Sequence, residues 1–373
     1  MRIGFIGDIV GRPGRKIIKD SLKTIKEEQK IDFIIANAEN ASHGFGLTID
    51  SSKELFSSGI DLITGGNHSF DKKKDVQYLH ESGNVLRPDN YPEGVVGSGL
   101  KIGFIGDIVG RPGRKIIKDS LKNIKEEHKI DFIIANGENA SHGFGLTIDS
   151  SKELFSSGID LITGGNHSFD KKKDVQYLHE SGNILRPDNY PEGVVGSGIK
   201  ICDIKVEDKD EKLAVINLMG QFAMPLVENP FNWATKLIKK LEEQNIKNIF
   251  VDFHGEATSE KRVMLMMFKN KVSAICGTHT HVGTDDLQIF QNTAYLTDIG
   301  LTGCYDNVIG MDEKAPIKRA TTGIGSHFEV PNSCKAILQM MVVDIEDGKA
   351  INSYKIKKYC NSSKLHISDA III

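Results

Sequence analysis

"KIGFIGDIVGRPGRKIIKDSLKNIKEEHKIDFIIANGEN", residues 101–139, decides the fold. "KIGFIG" is a short apolar run that ends at Asp107 and reads as a buried strand. "GRKIIKDSLKNIKEEH" places Ile116, Ile117, Leu121 and Ile124 on one side of an amphipathic helix. "DFIIAN" is a second strand. The alternation continues outward. "TIDSSKELFSSG" reads as a short helix ending at a glycine, "DLITGG" as a third strand, and "NILRP" as a fourth, stopped by Pro187. Strands alternating with helices imply a largely parallel sheet, an α/β fold.

The same text stands earlier in the chain. Residues 1–99 align with 100–198 without a gap and differ at six positions: Met1/Leu100, Arg2/Lys101, Thr24/Asn123, Gln29/His128, Ala38/Gly137 and Val85/Ile184. Such a period is too long for a solenoid unit. Near-identity points to an in-frame tandem duplication. Residues 199–373 have no second copy. There "IKICDIKV" and "KLAVINLMG" read as strands joined across the charged turn DKDEK, "NWATKLIKKLEEQN" as a helix and "KNIFVDFHG" as a strand. "TSEKRVMLMMFKN" is a helix, and "VSAICGTHTH" a strand running into a histidine-rich loop. "AILQMMVVDIEDGKAINSYKIKKY" reads as a hairpin about a DG turn. No linker composition separates 198 from 199. The expected organisation is therefore a redundant half-domain, 1–99, before a complete domain, 100–373.

Composition narrows the function. A net charge of -3 does not favour a polyanion partner, so no DNA binding is expected. The basic runs Lys72-Lys73-Lys74 and Lys171-Lys172-Lys173 are flanked by Asp and read as solvated helix faces. The five cysteines, Cys202, Cys276, Cys304, Cys334 and Cys360, include no CxxC pair and suit a reducing cytoplasm better than a disulfide framework. The N-terminus lacks a signal-peptide core, and nowhere do about 18 apolar residues run together, so no membrane span is expected.

Polar residues cluster just past the predicted strand ends, the edge where open α/β folds bind ligands. They are Asp107, Glu138-Asn139 and Asn166-His167, then His254, His279 and His281. Singly each has a plain explanation: an Asp after a strand is commonly a cap, and a strand-end His commonly a hydrogen-bonded core residue. The HxH of "GTHTHVG" is stronger, since alternate residues of extended chain point the same way. The set as a whole is not accounted for by core packing. Oxygen ligands mixed with imidazoles suit Mn²⁺, Fe²⁺ or Zn²⁺ rather than a Cys-type structural zinc. The donors outnumber the needs of one ion, which implies two. A pair of ions roughly 3.5–4 Å apart, holding a bridging hydroxide, is the usual arrangement for hydrolysing phosphate esters. Glu138 is a candidate bridge, and His167 a candidate proton donor to the departing oxygen.

"GDIVGRPGR" (106–114), "GEN" (137–139), "GGNHSFD" (164–170), "FHGEATSEK" (253–261) and "GTHTHVGTDD" (277–286) together resemble the calcineurin-like metallophosphoesterase superfamily, and more narrowly its bacterial YmdB-like branch. The resemblance covers essentially all of 100–373. It implies a four-layer α/β/β/α sandwich with two mixed sheets. It also implies that Asp107 and His281 hold one ion, that Glu138 bridges, that Asn139, Asn166, His254 and His279 hold the other, and that His167 is the acid. The Asp-x-His that usually opens the superfamily is here Asp107-Ile108-Val109, so that His is absent. The activity implied is hydrolysis of cyclic nucleotides, 2′,3′-cyclic above all and 3′,5′-cyclic with them, by a 2′,3′-cyclic-nucleotide 2′-phosphodiesterase type of enzyme with two Fe or Mn ions, or Zn. Alternatives are a phosphomonoesterase or nucleotidase on the same site, or a catalytically impaired metal- or nucleotide-binding oligomeric scaffold; a homo-oligomer is expected. Arg111 and Arg114 are candidates for phosphate contact, or a solvated helix start, and His142 for lining the pocket. "GRPGRK" lacks the spacing of a Walker A loop. His179, His327 and His366 read as ordinary histidines, and Cys276 as a packed thiol.

Copy one repeats Asp8, Glu39, Asn40, Asn67 and His68, yet the three ligand histidines occur once. One site is expected. Copy two is joined directly to residue 199, whereas using copy one would close a loop of the intervening copy at about 4 kcal/mol. The family resemblance implies Gly before Glu-Asn, so Ala38 in place of Gly137 favours copy two as well.

Overall fold

The structure, a computed structural model, describes every residue except 70, 73, 74, 77, 78, 80–82, 89–98, 207 and 208. Lys73 and Lys74 of the first basic run, and Asp208 of the charged turn, lie outside the described residues. The chain divides into two compact units, Met1–Ser98 and Gly99–Ile373.

The leading unit is a parallel sheet in the order β1 (Ile3–Ile6), β2 (Phe33–Asn37), β3 (Leu62–Thr64) and β4 (Val85–Leu86). Helices α1 (Gly11–Glu28) and α2 (Ile49–Ser57) cross between the first three strands. Leu22, Leu55, Ile34 and Ile63 form its core. Thr48 caps α2, its side chain accepting from Ser51 N.

In the second unit the same text builds β5 (Leu100–Ile105), α3 (Gly110–Glu127), β6 (Phe132–Asn136), α4 (Ile148–Ser156) and β7 (Leu161–Thr163), followed by the short α5 (Val175–Glu180). The stripe Ile116, Ile117, Leu121 and Ile124 is buried as the periodicity predicts. Residues 199–373 then supply the second sheet and the edge of the first. Their elements are β8 (Ile199–Val206), β9 (Lys209–Met219), α6 (Pro230–Glu243), β10 (Asn248–His254), α7 (Thr258–Phe268), β11 (Ala274–Thr278), β12 (Gln288–Phe290) and β13 (Thr293–Leu296), then β14 (Gly303–Cys304), α8 (Lys314–Thr322), β15 (Ala336–Glu346), β16 (Lys349–Tyr359), β17 (Leu365–Asp369) and β18 (Ile371–Ile372).

One sheet runs β17-β16-β15-β5-β6-β7, with β14 also on β15; the other runs β18-β12-β13-β11-β10-β9-β8. Both are mixed. In the first, β5, β6 and β7 are parallel while β15 meets β5 antiparallel. In the second, β9, β10, β11 and β13 are parallel between antiparallel neighbours β8 and β12. The sheets pack face to face through Phe104, Ile134 and Met341 against Val215, Phe250 and Leu296. Helices α3 and α4 cover the outside of the first sheet, and α6 and α7 the outside of the second. The result is the expected α/β/β/α sandwich. The DG turn holds Asp347 and Gly348 at φ +47° and +83°, as a two-residue hairpin of the primed type requires.

Four sequence readings are corrected. "NILRP" makes only an isolated bridge, Ile184 to Ile162: Arg186 N donates to the Ser197 carbonyl and Asp188 N to that of Asn217, which draws the chain toward the second sheet. Lys171, Lys172 and Lys173 lie in a turn before α5 rather than on a helix face. Lys209, Asp210, Glu211 and Lys212, read as a turn, already pair within β9. Cys304 and Cys334 form a disulfide with Cα atoms 5.6 Å apart, where the spacing suggested none. Antiparallel pairing of Cys304 with Ala336 brings these positions together. Cys202 and Cys276 are free and buried, and Cys360 is free and exposed. No helix among the described residues is long and apolar enough to cross a membrane.

Candidate metal centre and active site

Parallel strands of both sheets end at one edge. Asp107 follows β5, Glu138 and Asn139 follow β6, and Asn166 and His167 follow β7. His254 closes β10, and His279 and His281 follow β11. The fold brings all eight together, from two sheets and from positions far apart in sequence.

Direct contacts link them. Asn139 Nδ2 lies 2.9 Å from Glu138 Oε1 and 3.2 Å from His281 Nε2. His281 Nε2 is 3.9 Å from Asp107 Oδ1. His254 Nε2 is 3.3 Å from Glu138 Oε1, 2.8 Å from Asn166 Oδ1 and 3.1 Å from His279 Nδ1. Glu138, His254 and His279 offer ligand atoms that all lie within 4.8 Å of one another. His167 N donates to Glu138 Oε2 at 3.1 Å. The His167 ring meets Phe144 edge-on, and its Nδ1 lies 2.7 Å from Asp170 Oδ2.

The protons on the histidines can be counted. Thr278 Oγ1 donates to Asp252 Oδ1 at 2.7 Å, so it must accept from His254 Nδ1, 3.0 Å away. His281 Nδ1 donates to the Ile309 carbonyl at 2.8 Å. His279 Nε2 faces the Glu256 carboxylate at 3.2 Å. Burial, with neighbouring positive groups, pushes the His254 pKa well below its usual value and that of His279 down to about 4. Burial lowers His281 too. Each ring is therefore neutral, and His254 and His281 hold their one proton toward an outer acceptor, while His279 turns Nδ1 to His254 and Nε2 to Glu256. The inward Nε2 atoms of His254 and His281 are bare and, with His279 Nδ1 beside them, share the space with oxygen lone pairs of Glu138, Asn166 and Asp107. Such a donor set fits a divalent cation, and the outer acceptors are the usual means of fixing metal-ligand tautomers. Burial pushes Asp107 up to about 7, with the charge of Asp298 adding to it, and Glu138 well above its usual range, with Asp107 adding.

Several groups here were not singled out in the sequence. Asp252 accepts from Thr278, from Thr163 Oγ1 (2.6 Å) and from Asn136 Nδ2 (3.1 Å). It thereby ties β10 and β11 of one sheet to β6 and β7 of the other directly beneath the site. Its signal was a lone acid inside the apolar run "IFVDF". Lys261 Nζ pairs with Asp298 Oδ2 at 2.7 Å, both fully buried. Arg114 is committed to Glu153 and the Ala140 carbonyl. Arg111, Arg114 and His142 line a groove of about 640 Å³ along α3. His179 is buried, while His327 and His366 are exposed.

Copy one reproduces the local geometry without the histidines. His68 N donates to Glu39 Oε2 at 3.0 Å, and His68 Nδ1 lies 2.7 Å from Asp71 Oδ2. Asp8 and Asn67 are exposed there, whereas Asp107 is fully buried.

The YmdB-like protein family matches residues 5–103 and again 104–356. The chain belongs to the YmdB-like family. Among its relatives, the 2′,3′-cyclic-nucleotide 2′-phosphodiesterase of Bacillus subtilis is 43% identical over 249 residues, 66% of this chain and 92% of that protein. The crystal structure of a novel phosphatase from Mycoplasma pneumoniae superposes with a TM-score of 0.65 at 34% identity, covering 70% of this chain and 94% of that one. A hypothetical protein from Thermus thermophilus superposes at 0.64 with 32% identity, over 73% of this chain and all of that one, 100%. This family membership agrees with the motifs and with the observed sandwich.

Proposed function

We propose that the chain is a metal-dependent phosphoric diester hydrolase acting on cyclic nucleotides, 2′,3′-cyclic first and 3′,5′-cyclic with them. Its one site lies in the Gly99–Ile373 unit. The observation that carries the reading is the convergence of three neutral imidazoles on two carboxylates and two amides, with His254 and His281 turning bare Nε2 atoms inward. The Bacillus subtilis relative supports the substrate class by its name.

Glu138 is the proposed bridge between two ions. Asp107 and His281 would hold one, and Asn139, Asn166, His254 and His279 the other, with Fe or Mn ahead of Zn. Bound there, the cations supply Lewis-acid charge to the phosphoryl oxygens and acidify the attacking water. The chain's own groups do the rest. His279 and His254, tied outward to Glu256 and Thr278, keep fixed orientations. Asn139 and Asn166 add donors without adding negative charge opposite a phosphate. His167 is anchored through Nδ1 to Asp170, which leaves Nε2 to carry a proton to the departing ribose oxygen. Phe144 stacks edge-on against the same ring and limits its rotation.

The test is a substrate panel with the full chain and Mn²⁺: 2′,3′-cAMP, 3′,5′-cAMP, bis-p-nitrophenyl phosphate and p-nitrophenyl phosphate. Turnover of the diesters, abolished by chelator and restored by Mn²⁺, is expected. Preference for the monoester would move the assignment to a phosphomonoesterase. Metal binding without turnover of any ester would overturn it in favour of a scaffold.

A further inference from the structure

The two ligand histidines after β11 sit in backbone conformations that side-chain-bearing residues rarely adopt. His279 has φ +99° and His281 φ +64°. Conformations of this kind persist only where the surroundings over-determine them. Here a buried ion pair lies directly behind the turn. Asp298 Oδ2 accepts from Thr280 N at 3.2 Å, the peptide between the two histidines, and from Lys261 Nζ at 2.7 Å. Its Oδ1 accepts from Gly300 N at 2.8 Å, and Leu301 N donates to the His281 carbonyl at 3.1 Å. Lys261 reaches the pair by passing over Gly277, where a Cβ would lie 2.8 Å from Lys261 Cδ. The Thr297 carbonyl oxygen would lie closer still to that Cβ, at 1.8 Å, and is the main reason for the glycine of "GTHTH". Lys261 and Asp298 are each about 1% exposed.

We propose that Lys261 and Asp298 are positioning residues, a clamp that holds the His279-Thr280-His281 turn so that both imidazoles face inward. The inference rests on the metal-site reading above and assigns a role to two groups outside it. Asp298 grips the turn, but a lone buried carboxylate so near Asp107 would be repelled and poorly solvated. Lys261 supplies the opposite charge that lets it stay. Removing the amine alone strands the anion as an uncompensated buried charge. A slack turn would leave the fold standing and blunt the convergence of the donors.

The experiment compares full-length wild type, Lys261→Met, and the doubly neutral Lys261→Met/Asp298→Asn, which leaves no stranded charge and serves if the single variant does not fold. Mn²⁺ affinity is measured by calorimetry without substrate, beside thermal unfolding. The Mn²⁺ concentration giving half-maximal turnover of bis-p-nitrophenyl phosphate is the second readout. The expected result is Mn²⁺ affinity weaker by about 10–100-fold in each folded variant, a matching rise in the half-maximal Mn²⁺ concentration, and turnover recovered at saturating Mn²⁺. A lowered melting temperature with unchanged Mn²⁺ affinity would overturn the clamp and leave the pair as ordinary core support. Wild type that binds no Mn²⁺ would instead overturn the metal-site reading, and the clamp with it.

Discussion

Two nearly identical sequences in one chain occupy different surroundings, so hydrogen exchange has a built-in control. Ile3 is 52% exposed, Phe5 66%, Val10 56%, Ile17 67% and Ile25 46%. Their counterparts Ile102, Phe104, Val109, Ile116 and Ile124 are all buried, by β14, β15 and the second sheet. Together the differences amount to about three fully exposed apolar side chains. At ~1.5–3 kcal/mol for each side chain fully buried, the leading unit lacks roughly 4–8 kcal/mol that its twin gains. Amides of β1, β2 and β3 should therefore exchange by opening at least about a thousandfold more readily than those of β5, β6 and β7. Intrinsic exchange rates cancel, because the sequences match. In exchange mass spectrometry, peptides common to both copies should give two isotope envelopes of equal weight. Peptides spanning 24–38 or 123–137 differ in mass, through Thr24/Asn123, Gln29/His128 and Ala38/Gly137, and should assign the fast envelope to the leading copy. A single slow envelope would refute the reasoning, since it would mean that the apolar faces of the leading unit are covered.

Three further outcomes are expected. His167→Ala should lower turnover of cyclic nucleotides by about 10²–10⁴-fold while His68→Ala leaves it unchanged, and the reverse pattern would place the site in copy one. Thr278→Val removes the acceptor that fixes His254 Nδ1 and a donor to buried Asp252; metal content at limiting Mn²⁺ should fall, with affinity lower by roughly tenfold or more, and unchanged content would contradict the tautomer argument. Burial, with Lys357 adding, holds Lys355 down to about 8 from 10.5. A lysine depressed in the folded state carries its penalty below the folded value and loses it as pH rises toward the unfolded one. Lys355→Met should therefore stabilise by up to ~3 kcal/mol at pH 7, the gain fading between pH 8 and 10.5; a gain independent of pH in denaturant unfolding would rule out the charge as its cause.

What could be read from the residues follows their physics. The strands and helices of 100–139 carry their periodicity locally, and polar residues placed just past apolar strands mark the ligand edge without knowledge of the partner strand. Hidden features are those whose cause lies elsewhere in the chain. Lys261 and Asp298 are 37 residues apart, and each alone looks like an exposed charge. Short strands such as β14 and β18 exist because a neighbour offers its edge, not because two residues prefer extension. "NVLRP" pairs as β4 in the leading unit, while "NILRP" makes only an isolated bridge in the second. In the second unit, hydrogen bonds to Ser197 and Asn217 draw the following residues toward the second sheet. The Cys304–Cys334 disulfide likewise depends on strand pairing that spacing does not encode.

The duplication bears on how many centres the chain can complete. Each copy offers an acid, a Glu-Asn pair and an Asn-His pair, but the three inward imidazoles exist once. Two acid-and-amide halves therefore compete for one imidazole half. If packing were equal, connectivity alone would settle the contest, because choosing the leading copy closes a loop at about 4 kcal/mol, close to a thousandfold in population. Packing adds to that preference. A Cβ on Gly137 would lie 2.7 Å from Ile162 Cγ2, so the alanine that copy one carries at position 38 must displace its neighbour to be accommodated there. Ala38 is fully buried in the leading unit's own core. Beneath a cluster in which Glu138 must reach both Asn139 and His254, the same displacement falls on the peptide that aims the proposed bridging carboxylate. The preference for copy two thus comes from the chain's connectivity first and from one missing methyl group second, and both act before any metal is bound.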